Sequence, residues 1–238
     1  MTTATKRSAR SAQCEEDLDG LWTLPGVYAP QADTRLLARA LRGESLTAGM
    51  EVLDIGTGSG ALAVLAARLG ARVAAMDVSR RAVLTARINA LRAGRPARAR
   101  VRVRRGDLSQ PWDGRTFDML LSNPPYVPAP FDEPPARGPA RSWEGGRNGR
   151  RLVDALTARA PAALRPGGVL LMVHSGLCGV GTSLRQLAAA GLRCSVAERA
   201  YVPFGPVLTG RLPWLRAQGL LGADEDEEEL VVIRAERT

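Results

Sequence analysis

An apolar run that ends in alternating glycines constrains the fold of this chain more than any other segment. It reads Val52-Leu53-Asp54-Ile55-Gly56-Thr57-Gly58-Ser59-Gly60. The apolar half predicts a buried strand, and the residues from Ala61 onward predict a helix that Gly70 ends. Glycines in the turn between them allow positive φ and let a ligand approach the backbone without a Cβ in the way.

The rest of the chain repeats this alternation of short apolar runs and amphipathic stretches, which predicts an α/β domain with a mostly parallel sheet. Asp33-Thr34 resembles a helix N-cap, and residues 127–149 are predicted to form a long mobile lid. Residues 1–20 are predicted to be a flexible tail, and residues 201–221 an irregular, partly helical stretch. The predicted strands are 50–55, 72–78, 100–105, 117–122, 168–174, 194–199 and 229–234.

Composition excludes several other classes of protein. The three cysteines are far apart and the chain has one histidine, so we predict neither a disulfide framework nor a metal site. No apolar run reaches the roughly 18 residues that a membrane-spanning helix needs. The start of the chain also carries no apolar signal segment. These features favour a cytoplasmic protein without membrane contact.

The formal net charge of +9 leaves two interpretations open. A basic surface is typical of proteins that bind nucleic acid. Arginine scattered over solvated helix faces gives the same total, and the dispersed positions with few aromatic residues between them favour this second interpretation. The acidic run 224–229 has the opposite sign, and we expect it to be a solvated loop before the last strand.

Acidic residues follow the next two predicted strands. Asp77 lies 21 residues after Gly56, a spacing that suits a carboxylate accepting both ribose hydroxyls of a nucleoside. Asp107 ends the third strand, where it can meet an adenine amino group. Because the carboxyl ends of parallel strands converge at one edge, these residues predict a nucleoside cofactor. The glycine loop alone also satisfies the permissive dinucleotide fingerprint, so NAD remains an alternative at this point.

The turn Asn123-Pro124-Pro125-Tyr126 directly follows the fourth predicted strand. Its prolines fix φ and remove two backbone donors, so the turn presents oxygen acceptors. The Asn123 side-chain oxygen and the Pro124 carbonyl can each accept a hydrogen from a substrate NH₂ group, on which Tyr126 can stack. This suits attack by a weakly nucleophilic nitrogen on a sulfonium methyl group, where orientation supplies most of the acceleration. No general base is needed, and His174 is expected to be a core residue.

Four segments together resemble the class I S-adenosylmethionine methyltransferases, and more closely their HemK-like branch, which methylates glutamine N5 in the GGQ loop of peptide-chain release factors. They are Val27-Tyr28-Ala29-Pro30 with Asp33-Thr34-Arg35-Leu36-Leu37, the Asp54 to Gly60 loop, the Asn123 to Tyr126 turn, and Trp143-Glu144-Gly145-Gly146-Arg147-Asn148-Gly149. The first and last resemble the short archaeal and eukaryotic-type members, which lack a separate N-terminal helical domain.

The resemblance implies a Rossmann-like fold, with a seven-stranded mostly parallel sheet and helices on both faces, in a single methyltransferase domain over residues 21–238. The implied cofactor is S-adenosyl-L-methionine, with S-adenosyl-L-homocysteine as product. Asn123, Pro124 and Tyr126 are expected to hold the target amide. The expected cofactor residues are Thr34, Asp54, Gly56, Gly58, Asp77, Val78, Asp107, Leu108 and Asn123.

The implied partners are a protein substrate, which by resemblance is a peptide-chain release factor, and a small zinc-binding activator subunit. The main alternative function is methylation of a base amino group, N6 of adenine or N2 of guanine, in DNA or rRNA. Against this alternative, a base flipped out of a duplex would need recognition elements beyond the methyltransferase core. A cofactor-binding subunit without catalysis and a dinucleotide oxidoreductase are further alternatives. The intact Asn-Pro-Pro-Tyr turn argues against the first, and the lack of a separate substrate domain argues against the second.

Overall fold

The computed structural model describes residues 18, 20–108, 112, 114–133, 135 and 138–238. Its strands form one seven-stranded sheet, as expected, and their order in the sheet is β3-β2-β1-β4-β5-β7-β6. The first five strands in this order are parallel, and β7 pairs antiparallel with both β5 and β6. The strands are β1 (Glu51–Ile55), β2 (Arg72–Asp77), β3 (Val101–Arg105), β4 (Phe117–Ser122), β5 (Leu164–Ser175), β6 (Leu192–Pro203) and β7 (Glu227–Arg237).

The helices alternate with the strands over most of the described chain. They are α1 (Ala32–Gly43), α2 (Ala61–Arg68), α3 (Arg80–Arg92), α4 (Arg95–Arg100), α5 (Arg151–Ala163), α6 (Val180–Ala189), α7 (Pro206–Thr209) and α8 (Leu212–Ala217). Two short 3₁₀ turns are Pro139–Ser142 and Gly176–Cys178. None of the described helices is both long enough and apolar enough to cross a membrane.

The central strands are apolar because both faces of a parallel sheet are covered. Val52, Leu53, Leu121 and Leu171 are all fully buried, and they belong to β1, β4 and β5 at the middle of the sheet. Strand β3 lies at one edge of the sheet and alternates Val with Arg, and charged side chains of this kind are typical of edge strands. The core thus centres on β1 and β4, whose carboxyl ends face the glycine loop and the Asn-Pro-Pro-Tyr turn.

The structure corrects several sequence-based expectations of local structure. The acidic run 224–229 is only half loop, because its last three residues pair in β7 and Glu228 is buried. Helix α1 begins at Ala32 after Gln31, so Asp33 lies inside the first turn and is not an N-cap. Helix α4 was not predicted. Of the predicted tail, Leu18 is buried against the core, and almost all the other residues lie outside the described ranges.

Gly60 joins the glycine loop to α2 at a point where no other residue fits well. Its φ is +82°, and a Cβ there would lie 2.9 Å from both Cα and Cβ of Ala86 on α3. The glycine therefore allows the left-handed turn and also allows α2 and α3 to pack closely.

We expect Gly60→Ala to lower the free energy of unfolding by about 2–5 kcal/mol, the sum of left-handed backbone strain and overpacking. Gly191→Ala is the matched control, since Gly191 has nearly the same φ, +83°, and open space at its Cβ position. The control should lose only the backbone part of this free energy. Urea denaturation of the two variants measures the difference, and equal losses would show that contact with Ala86 contributes nothing.

Candidate active site

A cleft of about 720 Å³ lies at the carboxyl ends of β1 to β4. The front segment 26–34, the glycine loop, the turn after β4 and part of the 138–144 loop enclose it. Ten of the eleven predicted site residues line this cleft: Thr34, Gly56, Gly58, Asp77, Val78, Asp107, Leu108, Asn123, Pro124 and Tyr126. The exception is Asp54, which lies behind the glycine loop.

Asp54 supports the loop from the protein interior. It is 1% exposed, and its Oδ2 accepts a hydrogen bond of 2.6 Å from the Thr57 hydroxyl. Burial raises the pKa of Asp54 to about 7, although hydrogen bonds from Thr57 and from the backbone N–H of Ala63 oppose this shift. The carboxyl group therefore holds the conformation of the loop and does not present an oxygen to the cleft.

The glycine loop leaves open space beside the ends of β1 and β2. Gly56 and Gly58 have φ of +71° and +53°, and a Cβ at Gly56 would meet nothing within 4 Å. The N–H of Thr57 donates to the Met76 carbonyl at 2.9 Å, and the side chain of Asn89 donates to the Ser59 carbonyl at 2.8 Å. Both bonds fix the loop from outside, so that its inner side stays clear for a ligand.

Asp77 is oriented by two backbone donors. Its Oδ2 accepts from the N–H of Gly58 at 3.0 Å, and its Oδ1 accepts from the N–H of Ser79 at 2.8 Å. Burial raises the pKa of Asp77, while these two N–H groups favour the carboxylate and act against the shift. Each carboxylate oxygen keeps accepting capacity for a hydroxyl group in the cleft.

The segment after β3 forms the far wall of the cleft. The N–H of Gly106 donates to the Asp77 carbonyl at 3.1 Å, which joins this wall to the end of β2. Leu108 has a φ of +45° and is the only described non-glycine residue with positive φ. Such backbone outliers persist where the surrounding structure enforces them, often at ligand sites.

The amide of Asn123 is held in one orientation by the front helix. Its Nδ2 donates to Thr34 Oγ1 at 3.3 Å, and that hydroxyl donates in turn to Asp33 Oδ1 at 3.2 Å. Because the Thr34 hydrogen is directed to a carboxylate, its oxygen can only accept from Asn123. Asn123 Oδ1 therefore points away from Thr34, and no described donor engages it.

Asp33 also binds two phenols, an arrangement that sequence reasoning missed. Its Oδ2 accepts from the hydroxyls of Tyr28 at 2.9 Å and Tyr126 at 3.0 Å. The pKa of each tyrosine is raised, first by burial and then by the charge of Asp33, so both remain donors. Asp33 is 3% exposed. In the sequence, the position of Asp33 beside Thr34 is the one indication of this role, and a helix cap explains that position equally well.

Glu228 is a second buried acid near this cluster, which the sequence also did not indicate. Its Oε1 has no hydrogen-bond partner among the described residues. Burial raises its pKa to about 7, Asp33 adds to the shift, and a hydrogen bond from Ser175 opposes it. Tyr126 and Tyr28 both experience its charge.

The loop after the Asn-Pro-Pro-Tyr turn pairs with the segment 143–149. The N–H of Val127 donates to the Trp143 carbonyl at 2.8 Å, and the N–H of Gly145 donates back to Val127 at 2.9 Å. Gly149 lies directly against the turn, because a Cβ there would be 2.2 Å from the Tyr126 carbonyl oxygen. Both ends of the predicted lid are thus fastened beside Tyr126.

Residues 204–221 are anchored on this paired segment, which the sequence did not reveal. The Arg211 guanidinium forms an ion pair with Glu144, which is 3% exposed. It also donates to the Pro128 carbonyl at 2.8 Å. Leu208, Leu215 and Leu221 form a small apolar cluster of their own, against which Val127 also packs.

His174 lies outside the cleft, in the core, as expected. It is fully buried, and its Nε2 is 2.9 Å from the Ser183 hydroxyl. Burial lowers its pKa to about 4, so it is neutral near pH 7. No described cluster of His, Cys, Asp and Glu side chains has the arrangement of a metal site.

Comparison with known proteins gives consistent matches. The methyltransferase small domain family model matches residues 20–131. The chain is 30% identical over 181 residues to a putative protein N5-glutamine methyltransferase of Methanocaldococcus jannaschii, with 76% of this chain and 88% of that protein covered. It is 35% identical to the release factor glutamine methyltransferase of Xylella fastidiosa, with 82% and 74% covered. It is 39% identical to the release factor glutamine methyltransferase of Gloeobacter violaceus. That alignment covers 71% of this chain but only 60% of the Gloeobacter violaceus protein.

Solved structures show the same fold. The E. cuniculi Mtq2–Trm112 complex, described as responsible for methylation of the termination factor eRF1, aligns with a TM-score of 0.61 at 23% identity, covering 90% of this chain and 99% of that chain. A T. thermophilus 16S rRNA N2 methyltransferase, solved with AdoMet and guanosine, aligns with a TM-score of 0.55 at 23% identity, covering 91% and 46%.

The buried acid Glu228 should make stability depend on pH. A folded-state pKa of about 7, above the unfolded value, means that the folded protein binds the proton more tightly. Stability is then lost as pH rises between about 4.5 and 7. Glu228→Gln should match the parent near pH 4 and melt at a higher temperature than the parent above pH 7.

Thermal melts from pH 4 to pH 8 measure this difference. Glu227→Gln is the control, because Glu227 is the exposed neighbour in the same strand. If both variants follow the same pH profile, the buried carboxyl group does not titrate as described.

Proposed function

The chain belongs to the family of S-adenosylmethionine-dependent release factor and protein N5-glutamine methyltransferases. On that premise, we propose that it methylates the side-chain amide nitrogen of a protein glutamine, and that this glutamine lies in the GGQ loop of a peptide-chain release factor. The observation that supports this most directly is the fixed amide of Asn123. Its Nδ2 is bound to Thr34, and its Oδ1 is left for a substrate in the cleft that the glycine loop and Asp77 also line.

The cleft fits the cofactor in its donor and acceptor groups. The open space at Gly56 and the adjacent turn at Gly58 suit the methionine part, and the Asp77 carboxylate suits the two ribose hydroxyls. Val78, Asp107 and Leu108 would hold the adenine, and Thr34 would approach the methionine end. Asp54 would act indirectly, through the conformation of the loop. When bound, the cofactor supplies a methyl group that its sulfonium centre already activates.

The catalytic work of the protein would be orientation. Asn123 Oδ1 and the Pro124 carbonyl would each accept one N–H of the glutamine amide, which turns the nitrogen lone pair toward the methyl group. The Tyr126 ring would cover the planar amide and exclude water. Fixing reactants in this way can contribute about 7–11 kcal/mol to lowering the barrier. The nitrogen becomes acidic as it is alkylated, so no residue in the role of a general base is required.

The proposed setting is translation termination in the cytoplasm. The E. cuniculi Mtq2 enzyme was solved with Trm112. We therefore propose that a small zinc-binding activator subunit assists this chain, and assays should be run with and without such a protein.

Asp77→Ala should weaken binding of S-adenosylhomocysteine about 10- to 100-fold, because hydrogen bonds to a charged group contribute about 1.5–3 kcal/mol. Isothermal titration calorimetry measures the affinity, and a thermal melt reports whether the fold is kept. Asp77→Asn, which retains one carbonyl oxygen, should lose less affinity. Asp224→Ala is the control, since Asp224 is exposed in a loop. Unchanged affinity in Asp77→Ala would remove this residue from the ribose site.

Asn123→Ala should lower kcat/KM for methylation of a release factor about 100-fold or more, since misplaced reactants can cost about that factor. Its affinity for S-adenosylhomocysteine should stay within a few-fold of the parent value. The assay follows labelled methyl transfer from S-adenosylmethionine, and digestion of the product identifies N5-methylglutamine. Gln218→Ala is the control, an exposed amide far along the chain.

The same assay separates the alternatives. Label that nuclease removes from a lysate, and protease does not, would establish a base methyltransferase instead. Such an enzyme should also lose affinity steeply as salt rises, in proportion to the phosphates that it neutralises. Full activity of Asn123→Ala on the release factor would contradict the proposed amide contacts.

A further inference from the structure

A second cavity lies at the end of the sheet opposite the cleft. It has a volume of about 680 Å³ and is lined by the first residues of β1, β2 and β4 together with β3. The strands are five or six residues long, and a strand rises about 3.3 Å per residue, so the cavity and the cleft are separated by about one strand length. We name this cavity the arginine groove.

Arginine dominates its lining. The groove contains Arg72, Arg100, Arg102, Arg104 and Arg115. Arg102 and Arg104 are two residues apart on the edge strand β3, so they point to the same face and are about 7 Å apart along the strand. Ala74 of β2 pairs with Arg102, which places Arg72 on that face as well. The guanidinium groups therefore form a row with small side chains between them.

The acidic side chain in the arginine groove is already paired with arginine. Glu51 is the acidic residue among the described lining residues, and its two oxygens pair with Arg115 and Arg165. The guanidinium groups of Arg72, Arg100 and Arg102 have no hydrogen bond or ion pair with any described residue. Arginine stays protonated at all physiological pH values, so these groups repel one another until an anion binds.

Trp112 holds part of the row in place. The Arg104 guanidinium lies 4.2 Å from the centre of its ring, and that of Arg115 lies 5.5 Å from it. Trp112 itself is 4% exposed, so it is a buried support and not a surface on which a base could stack. Cation–π contacts of this kind restrain the guanidinium groups before any ligand arrives.

We propose that the arginine groove binds the phosphate backbone of single-stranded RNA, independently of the methylation site. The planar guanidinium fork matches phosphate oxygens in pairs of hydrogen bonds, and a row of such groups along an edge strand suits a strand that carries one charge per nucleotide. With the aromatic support buried, binding depends on the backbone and not on base sequence. The exposed single strands of a cell are mostly RNA, which makes RNA the occupant. The RNA is a ligand here and not a methyl acceptor.

The test uses the double variant Arg72→Ala/Arg102→Ala, in which neither side chain has a partner among the described residues to lose. A fluorescent oligouridine 12-mer is titrated with the full-length protein at several salt concentrations, and anisotropy gives the affinity. The control is Arg92→Ala/Arg159→Ala, which removes the same charge from exposed positions on α3 and α5. Thermal melts check that all proteins fold equally.

We expect the groove variant to bind RNA at least 10-fold more weakly at 100 mM salt than the parent. The slope of log affinity against log salt should decrease by about 1.4, since a single strand contributes about 0.7 per phosphate contact. The control should change little in either measure. Equal weakening in both double variants would show binding by general charge and overturn the proposal. Competition by poly-glutamate at the same charge concentration as RNA would assign the groove to an acidic protein and also overturn it.

Discussion

The carboxylate of Asp33 is the contact on which the arrangement of Tyr126 and Asn123 in the cleft depends. It accepts hydrogen bonds from two phenols and, through Thr34, sets the orientation of the Asn123 amide. The front helix and the turn after β4 are far apart in the chain, and this group joins them inside the protein. A buried carboxylate requires such partners, since an uncompensated charge in the interior is costly. The cost of burying Asp33 is therefore offset by the same bonds that orient the site.

The parallel sheet explains why the other parts meet where they do. β1, β2, β3 and β4 run in the same direction, so their carboxyl ends share one edge. The glycine loop, Asp77, the Asp107 segment and the Asn-Pro-Pro-Tyr turn each follow one of these strands. Their convergence is a property of strand direction and needs no contact between them in the unfolded chain. The opposite edge, where the strands begin, carries the arginine groove and is therefore positively charged.

Features encoded locally could be predicted from the sequence. The apolar runs predict six of the seven strands close to their observed starts. The glycines predict the loop at the end of β1, because tight turns restrict residue choice locally.

Features that depend on partners distant in the chain could not be predicted. Arg211 and Glu144 are 67 residues apart, and nothing near either residue indicates the other. The sequence around Asp33 fits a helix cap as well as a buried acid, because short polar side chains serve both roles. Glu228 was assigned to a solvated acidic run, since strand pairing with β6 is invisible in composition. β5 starts earlier than predicted, at Leu164 instead of residue 168.

The attachment of residues 204–221 has a consequence for motion in the protein. This segment has its own apolar cluster, against which Val127 and Leu177 also pack, and the Arg211 guanidinium joins it to Glu144 in the loop after Tyr126. Breaking that ion pair leaves the hydrogen bonds of the central sheet intact, so we expect this segment to open more readily than the sheet. Such an opening would release the loop beside Tyr126 while the glycine loop and the ends of β1 and β2 stay folded. Exchange of backbone amide hydrogens should accordingly be faster in α7 and α8 than in β1 and β4.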